Sequence, residues 1–156
     1  FGSKIKFILD GGRSKIGLES TIISLVNRPK ILRLGGMERT KINKAFNKNI
    51  KFNRKNKKIN VPGQSKLHYS PGIPIKLNSI KPKPNEAFIL IKKRKKSYKN
   101  YYYLSKTKNL KQAAKNLYKI LRKIKNKNYK SISVEKIPNI GLGEVINDRL
   151  KRASSK

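Results

Sequence analysis

Residues 109–124, NLKQAAKNLYKILRKI, decide the fold that this sequence predicts. Apolar side chains recur there at helical spacing and form one stripe along an otherwise polar helix, and such a stripe has to cover a sheet or another helix. Asn109 is placed to cap the first turn, and Gln112 completes a start that resembles a capping box. The stripe consists of Leu110, Ala113, Ala114, Leu117, Tyr118, Leu121 and Ile124.

Short β-branched and aromatic runs lie on both sides of this helix. Residues 87–91 and 101–104 are predicted strands before it, and residues 131–135 are a predicted strand after it. A last helix is predicted over 142–153, where apolar residues again recur on one side. Strands that alternate with helices indicate a small α/β domain with a largely parallel sheet.

The first 46 residues contain the elements of part of a second α/β unit. Residues 5–9 form an apolar run that ends at Asp10 and two glycines, which predicts a strand and a turn. A β-hairpin is predicted from 21–26 and 30–34, and a short helix follows from Glu38. This segment has too little apolar surface for a closed core, so we expect it to be the end of a domain that starts upstream.

Residues 47–84 separate these two units and differ from both in composition. Residues 47–60 are dominated by Lys, Arg and Asn, so we expect a solvated basic insertion. Residues 61–84, which we call the strap, hold most of the chain's 7 prolines. Because proline fixes φ and favours extended backbone before it, the strap is predicted to be semi-rigid.

The chain carries 41 Lys and Arg against 7 Asp and Glu, a formal net charge of +34 at pH 7. Such a charge is typical of nucleic-acid partners, so a basic RNA-binding or ribosome-associated protein is an alternative function, with binding of double-stranded RNA included. In that case Tyr101–Tyr103 would offer a stacking surface. Basic residues lie in every segment, however, which favours a compositional origin of the charge over a dedicated binding stripe.

Several kinds of site are excluded by residue type. Cys is absent and one His is present, so these residues cannot form disulfides, thiolate metal sites or multi-His sites. We therefore predict no protein-bound metal. No apolar run approaches the roughly 20 residues that a membrane-spanning helix needs, so we also predict no membrane segment.

Three polar residues are candidate ligand contacts. Ser20 lies at the entry to a strand, where a hydroxyl suits a carboxylate or an amine, although a structural role is more common for such a Ser. Arg33 ends an apolar strand, and its guanidinium either binds a phosphate or reaches out to water. Tyr69 follows His68 in the strap, and such pairs are most often structural. No Asp, His or Lys is placed to activate Ser20, so we predict no catalytic nucleophile.

Four short motifs follow one another along the chain. They are GLEST at 17–21, ILR at 31–33, PGQ at 62–64 with HYSP at 68–71, and IP at 137–138 with GLG at 141–143 and INDRLKRA at 146–153. In this order and at these spacings they resemble the threonylcarbamoyl-AMP synthase family in its two-domain form. Leu34 departs from the pattern, because the family usually has Pro there.

The resemblance implies three parts. Residues 1–46 would be the C-terminal part of a YrdC-like α/β catalytic domain, residues 47–84 an extended linker that covers the active site, and residues 85–156 a small Rossmann-like α/β domain. It further implies a nucleotidyltransferase, L-threonylcarbamoyladenylate synthase, that is incomplete in this chain and inactive alone. This enzyme converts L-threonine, bicarbonate and ATP to L-threonylcarbamoyladenylate and pyrophosphate, for N6-threonylcarbamoyladenosine in tRNA.

By the same resemblance Ser20 holds L-threonine, Arg33 and Tyr69 contact ATP, and Mg²⁺ accompanies the nucleotide. The resemblance also implies a cytoplasmic protein with downstream tRNA-modification enzymes as partners. Arg149 matches the C-terminal signature but lies on the apolar stripe of the last helix, which suits a buried ion pair or a domain contact equally well, so we leave it out of the site. A carbamoyltransferase-like enzyme with a related domain is a further alternative.

Overall fold

The computed structural model describes residues 2–12, 14–52, 61–63 and 69–154. The described elements are, in chain order, a 3-10 turn (Gly2–Lys4), β1 (Ile22–Ser24), β2 (Lys30–Arg33), α1 (Arg39–Ala45), β3 (Ile75–Lys76), β4 (Glu86–Leu90), β5 (Tyr101–Tyr103), α2 (Leu110–Lys125), β6 (Ser131–Val134) and α3 (Leu142–Ser154). We call the described residues up to 52 the hairpin segment and residues 69–154 the sheet unit.

The sheet unit is built on four strands in the order β3-β6-β4-β5. Every pairing among them is parallel, which confirms the predicted α/β fold with a parallel sheet. The central strands β4 and β6 are buried along their whole length, as expected for parallel strands that are covered on both faces. The three strands predicted in residues 85–156 are all present, with ends that differ by a single residue.

The helix predicted from residues 109–124 is α2. Five of its seven stripe residues are buried in the core and the other two are half-buried. Asn109 caps it as predicted, because its Oδ1 accepts a hydrogen bond from the Gln112 backbone N–H at 2.9 Å. The Gln112 side chain does not close a capping box, since its Oε1 accepts from Ser105 Oγ at 2.7 Å. The Gln112 side chain therefore binds the loop before α2 and not the backbone of the helix N-terminus.

A buried carboxylate joins three strands of the sheet. Glu86 on β4 accepts hydrogen bonds from Lys76 Nζ on β3 at 2.6 Å, and from Ser131 Oγ and Ser133 Oγ on β6 at 2.7 and 2.6 Å. The Lys83 backbone N–H donates a further bond at 2.9 Å. Burial alone would raise the pKa of Glu86, but these donors, Lys76 foremost, hold that pKa far below its ordinary value.

The strand predicted at residues 5–9 is wrong. These residues have no strand geometry, and the side chains of Phe7, Ile8 and Leu9 are 87%, 84% and 98% exposed. A strand needs a neighbour to satisfy its backbone groups, and none of the described strands pairs with these residues. An apolar run alone was therefore insufficient to fix a strand here.

The predicted solvated insertion at 47–60 is partly buried. Ile50 lies in the core, and Phe52 forms a parallel bridge with Ile31 of β2. The Ile31 N–H donates to the Lys51 carbonyl at 3.0 Å. Two apolar residues are thus enough to dock the start of this basic stretch on the hairpin, while residues 53–60 lie outside the described residues.

The strap contains a strand that its sequence did not predict. Ile75 and Lys76 form β3, an edge strand paired with β6 opposite Ile132 and Ser133. The carbonyl of Pro74 accepts a bond from the Ile132 N–H at 2.8 Å. Prolines on both sides argue against a central strand but are compatible with an edge. The strap is therefore partly a member of the sheet.

The hairpin and the following helix form as predicted. β1 and β2 pair in antiparallel fashion, with Ile22 opposite Arg33, and α1 buries Ile42. Ile31, Leu34 and Ile42 belong to the same continuous core as the residues of α2 and α3. The hairpin segment therefore packs directly on the sheet unit.

Candidate functional site

Ser20 and Arg33, two of the three candidate residues, contact each other. Because Ile22 lies opposite Arg33 in the hairpin, the end of β2 reaches back to the residues just before β1. Arg33 Nη2 donates to Ser20 Oγ at 3.1 Å, and Arg33 Nε donates to the Ser20 carbonyl at 3.1 Å. The hairpin thus brings a hydroxyl and a guanidinium that are 13 positions apart in the sequence into hydrogen-bonding contact.

The loop after β2 packs against the backbone on both sides of Ser20. The Gly36 N–H donates to the Glu19 carbonyl at 2.8 Å. A Cβ atom at Gly35 would overlap backbone atoms of Glu19, Ser20 and Thr21, so only glycine permits this close approach. The path of the chain through Ser20 is therefore fixed by backbone contacts with the residues that follow Arg33.

The strap reaches the same place. Arg33 Nη1 donates to the Pro62 carbonyl at 3.1 Å. Gly63 has a φ of +86°, and a Cβ atom there would lie 2.7 Å from Tyr69 Oη and 3.4 Å from Arg33 Cδ. The structure therefore brings Ser20, Arg33 and Tyr69 to one location, with Gly63 between the last two. Gln64 and His68, which the sequence placed in the same motif, lie outside the described residues.

The charge of Arg33 is not balanced by an acid in the described part of the chain. Among the described residues it donates to two backbone carbonyls and a hydroxyl, which are all neutral. No ion pair of Arg33 occurs among the described residues. A guanidinium that is held in place by neutral groups keeps its attraction for an anionic ligand.

Tyr69 packs on the helices of the sheet unit. Its ring stacks on Tyr118 of α2 with centroids 5.2 Å apart and planes inclined by 21°. The Arg149 guanidinium of α3 lies 5.1 Å from the Tyr69 ring centroid, within the range of a cation–π contact. Burial, together with a hydrogen bond to Glu19, raises the pKa of Tyr69, so its hydroxyl stays protonated at neutral pH.

Glu19 is the acidic residue beside the site, and the sequence did not single it out. Tyr118 Oη lies 3.1 Å from both Glu19 carboxylate oxygens, and Arg149 Nε donates to Glu19 Oε2 at 3.1 Å. Burial alone would raise the pKa of Glu19, but the hydrogen bond with Tyr69 and the charge of Arg149 lower it below its ordinary value. Glu19 could have been identified from the sequence, because acidic residues are rare in this chain, 7 in all, and this one lies directly before Ser20.

Arg149 forms buried ion pairs, which is one of the two interpretations that its sequence position left open. Its side chain is 0% exposed and donates to Glu19, to Asp148 Oδ2 at 2.7 Å and to the Leu34 carbonyl at 2.6 Å. A second ion pair between the two units joins Arg39 of α1 and Glu144 of α3 at 2.8 Å. We call this contact between the hairpin segment and helices α2 and α3 the seam.

Two cavities open beside the site. One, of about 630 Å³, lies next to Ser20 and is largely apolar; it is lined by Ile16, Leu18, Glu19, Ser20, Thr21, Ile23, Gly36, Met37 and Lys41. The other, of about 370 Å³, lies next to Tyr69; it is lined by Glu19, Tyr69, Ser70, Pro71, Tyr118, Leu121, Arg122 and Lys125. Glu19 borders both, so the seam separates two spaces that a ligand can enter.

The chemistry available here is binding and orientation. The site offers a hydroxyl, a guanidinium, a phenol and backbone groups, and none of the described contacts gives Ser20 a general base. Within the described residues no three His, Cys, Asp or Glu side chains lie close enough together to hold a metal ion. Among those same residues, no helix is long and apolar enough to cross a membrane.

Comparison with known proteins gives consistent results. The family described as "Threonylcarbamoyl-AMP synthase, C-terminal domain" matches residues 31–155. A curated threonylcarbamoyl-AMP synthase from Pyrococcus abyssi (strain GE5 / Orsay) is 29% identical over 174 residues, which covers 99% of this chain and 51% of that protein. This chain therefore spans about half the length of that relative.

Two solved structures are similar to the whole fold. The crystal structure of P. abyssi Sua5 complexed with L-threonine matches with a TM-score of 0.79 and 27% identity, over 99% of this chain and 51% of the other. A P. abyssi Sua5 variant, in which a His and the Tyr after it are replaced by Ala, matches with a TM-score of 0.72 and 25% identity, over 92% and 47%. The described contacts of Ser20, Arg33 and Tyr69 thus lie in a fold that these structures share.

Proposed function

We propose, because this chain belongs to the threonylcarbamoyl-AMP synthase family, that it supplies the C-terminal half of an L-threonylcarbamoyladenylate synthase. This nucleotidyltransferase joins L-threonine, bicarbonate and ATP into L-threonylcarbamoyladenylate, with release of pyrophosphate and water. Residues 1–46 would complete a YrdC-like catalytic domain, 47–84 would cover its active site, and 85–156 would form a Rossmann-like accessory domain.

The hydrogen-bonded pair of Ser20 and Arg33 carries this proposal. Ser20 Oγ accepts from Arg33 and keeps its own O–H as a donor, which suits the carboxylate of L-threonine. The similar P. abyssi Sua5 structure contains L-threonine, which supports this ligand for Ser20. The apolar cavity beside Ser20 offers room for the amino acid's methyl group.

Arg33 is proposed to contact the phosphates of ATP. Its guanidinium is oriented by neutral acceptors and keeps its positive charge for an anion. Among the described residues beside the pair, the one carboxylate is Glu19, and it is engaged by Arg149 and Tyr118 instead of being available to the Mg²⁺ that accompanies ATP. We therefore assign Mg²⁺ to the nucleotide as part of the substrate. Positioning and charge stabilisation are the contributions of these residues.

Tyr69 is proposed to contact ATP as part of a lid formed by the strap. Gly63 brings the strap backbone against both Tyr69 and Arg33, so strap and phosphate contact share one location. The second similar structure carries Ala in place of an adjacent His and Tyr, and this chain has one His, directly before Tyr69. A closed strap would keep water from the carbamate and the mixed anhydride.

A cytoplasmic location, and partner enzymes that transfer the product to tRNA, follow from the family and are part of the proposal. The RNA-binding alternative is not favoured by the family assignment. A stacking surface would also need exposed aromatic rings, yet Tyr102 is buried and its neighbours Tyr101 and Tyr103 are half-buried.

The reaction is tested by pyrophosphate release from the full-length enzyme. Release should require both L-threonine and bicarbonate, and the 156-residue chain alone should show none, because two contacts cannot orient three substrates. Arg33→Ala should raise the KM for ATP about tenfold or more, as a lost charge-assisted bond predicts. The matched control is Arg28→Ala, which removes an exposed charge from the turn of the same hairpin. Equal effects of the two substitutions would refute the phosphate contact.

The lid is tested separately by proteolysis. ATP with L-threonine should protect residues 61–71 from cleavage, and Tyr69→Ala should abolish this protection. Tyr98→Ala, on an exposed loop of the sheet unit, is the control. Equal cleavage of the wild-type enzyme with and without substrates would show that the strap only connects two parts.

A further inference from the structure

Arg149 lies outside the pair that carries the proposed function, yet it contacts the chain on both sides of that pair. It donates to the side chain of Glu19, which precedes Ser20, and to the carbonyl of Leu34, which follows Arg33. The first contact measures 3.1 Å and the second 2.6 Å. One guanidinium therefore fixes the residue before Ser20 and the residue after Arg33.

The planar fork of Arg149 suits this task. Its three nitrogens each have a different acceptor in the described structure, with Asp148 Oδ2 as the third at 2.7 Å. A lysine ammonium carries equal charge but cannot span three acceptors in fixed directions. Asp148 is itself buried and also accepts from Arg152 at 3.1 Å, which anchors the fork within α3.

Burial makes the arrangement rigid. The Arg149 side chain is 0% exposed, so its charge requires close partners, and Glu19 and Asp148 provide them. Tyr69 of the strap packs on the same guanidinium, and Tyr118 holds the second side of Glu19. A shift of α3 would thus move Glu19, Leu34 and the strap tyrosine together.

We propose that Arg149 is a positioning residue, which holds Ser20 and Arg33 in their mutual orientation from the accessory domain. This inference rests on the proposed function, since it assigns Ser20 to L-threonine and Arg33 to ATP. Arg149 acts through two hydrogen bonds, to Glu19 and to the Leu34 carbonyl, which we call its two arms. Its bond to Glu19 supports the L-threonine contact, and its bond to Leu34 supports the ATP contact.

The test measures the KM for each substrate in the full-length enzyme and its variants. Arg149→Met removes both arms and should raise both KM values about 10- to 100-fold, the size of one displaced hydrogen bond to a charged group of each substrate. Glu19→Ala removes one arm and should raise the KM for L-threonine more than the KM for ATP. Arg149→Lys should fall between wild type and Arg149→Met.

The matched control is Arg39→Met. It breaks the ion pair with Glu144 across the seam, and no hydrogen bond or ion pair among the described residues joins Arg39 to Glu19, Ser20, Arg33 or Leu34. Its two KM values should equal those of wild type. Thermal unfolding shows which variants are folded at the assay temperature, and Glu19→Ala gives the readout if Arg149→Met does not fold.

The outcomes separate two failures. If the wild-type enzyme releases no pyrophosphate that depends on L-threonine, the proposed function fails. If wild type is active and folded Arg149→Met keeps both KM values, or if Arg39→Met raises them equally, Arg149 is only a structural contact and the inference is overturned. Unchanged KM for L-threonine in Glu19→Ala overturns it as well.

Discussion

The sheet unit buries most of its apolar side chains in a continuous core, whereas the hairpin segment buries few and leaves many bare. Four buried residues of the hairpin segment join the core of the sheet unit: Ile31, Leu34, Ile42 and Ile50. Its exposed large apolar residues include Phe7, Ile8, Leu9, Leu25, Val26 and Met37. The hairpin segment therefore packs on the sheet unit through a few buried side chains, while several of its large apolar side chains are exposed in the described structure.

This difference explains where the candidate site lies. Ser20 borders an apolar cavity that is lined by residues of the hairpin segment, while its neighbour Glu19 is bonded to the sheet unit. Large exposed apolar patches mark surfaces that other protein surfaces cover. Under the proposed function, the upstream half of the enzyme covers the exposed apolar side chains of the hairpin segment and completes the site around Ser20 and Arg33.

The largest expected effect concerns the buried carboxylate of the sheet unit. Glu86→Ala leaves Lys76, Ser131 and Ser133 without their common acceptor, so it should lower the free energy of unfolding by about 4 kcal/mol. The control Glu144→Ala removes an ion pair at the seam and should cost about 1 kcal/mol or less. Urea unfolding of the chain measures both. Equal losses would contradict the distinction between core and seam.

The same carboxylate predicts a pH dependence. The pKa of Glu86 is lowered in the folded chain, so its contribution is complete above its unfolded pKa of about 4.5 and is lost as pH falls toward the folded pKa. The stability difference between wild type and Glu86→Ala should therefore shrink below about pH 4.5. Unfolding midpoints of both proteins at neutral and acidic pH give this difference. A difference that is constant across the range would mean that Glu86 is not the group responsible.

The next prediction compares the loss of stability when one leucine of each region is replaced by alanine. Leu117→Ala opens a cavity in the buried stripe of α2 and should cost about 3 kcal/mol. Leu9→Ala removes an exposed side chain and should change the stability of the 156-residue chain by about 0.5 kcal/mol at most. In the full-length enzyme the cost of Leu9→Ala should rise, because the upstream half would cover it. A negligible cost in both contexts would show that Leu9 is exposed to solvent in the full-length enzyme as well.

A smaller effect is expected where the two regions touch. Gly17 has a φ of +75°, and a Cβ atom there would lie 2.7 Å from the backbone Cα of Lys115 in α2. Gly17→Ala should therefore cost about 2 kcal/mol, through both backbone strain and a clash that a helix backbone cannot relieve. Gly72 has a φ of +79° and nothing nearby, so Gly72→Ala reports strain alone, about 1 kcal/mol. Denaturant midpoints distinguish the two, and equal costs would argue against close packing at the seam.

The sequence predicted the sheet unit well for a physical reason. Helix α2 buries one side and strand β4 is covered on both faces, so the 3.6-residue periodicity of the helix and the apolar run of the strand record their environment. The strand at residues 5–9 failed because an apolar run shows a need for burial and not the partner that would meet it. Strand β3 was missed because two residues between prolines carry no period at all.

For the site, the motifs identified residues but not their connections. The motifs predict Ser20, Arg33 and Tyr69 as site residues, and the structure brings these three together through the hairpin register and Gly63. The bonds from Arg149 to Glu19 and Leu34 join positions more than 100 residues apart, which no local pattern records. Long-range polar contacts of this kind depend on how the two regions pack.

Calorimetric titration of L-threonine into the full-length enzyme tests whether Ser20 binds this amino acid at the edge of the seam. Folded Ser20→Ala should bind L-threonine about tenfold more weakly than wild type, as one lost hydrogen bond to a charged group implies. Ser24→Ala, at the end of β1 in the same hairpin, should bind as wild type does. Wild-type affinity in folded Ser20→Ala, or an equal loss in Ser24→Ala, would show that Ser20 does not hold L-threonine.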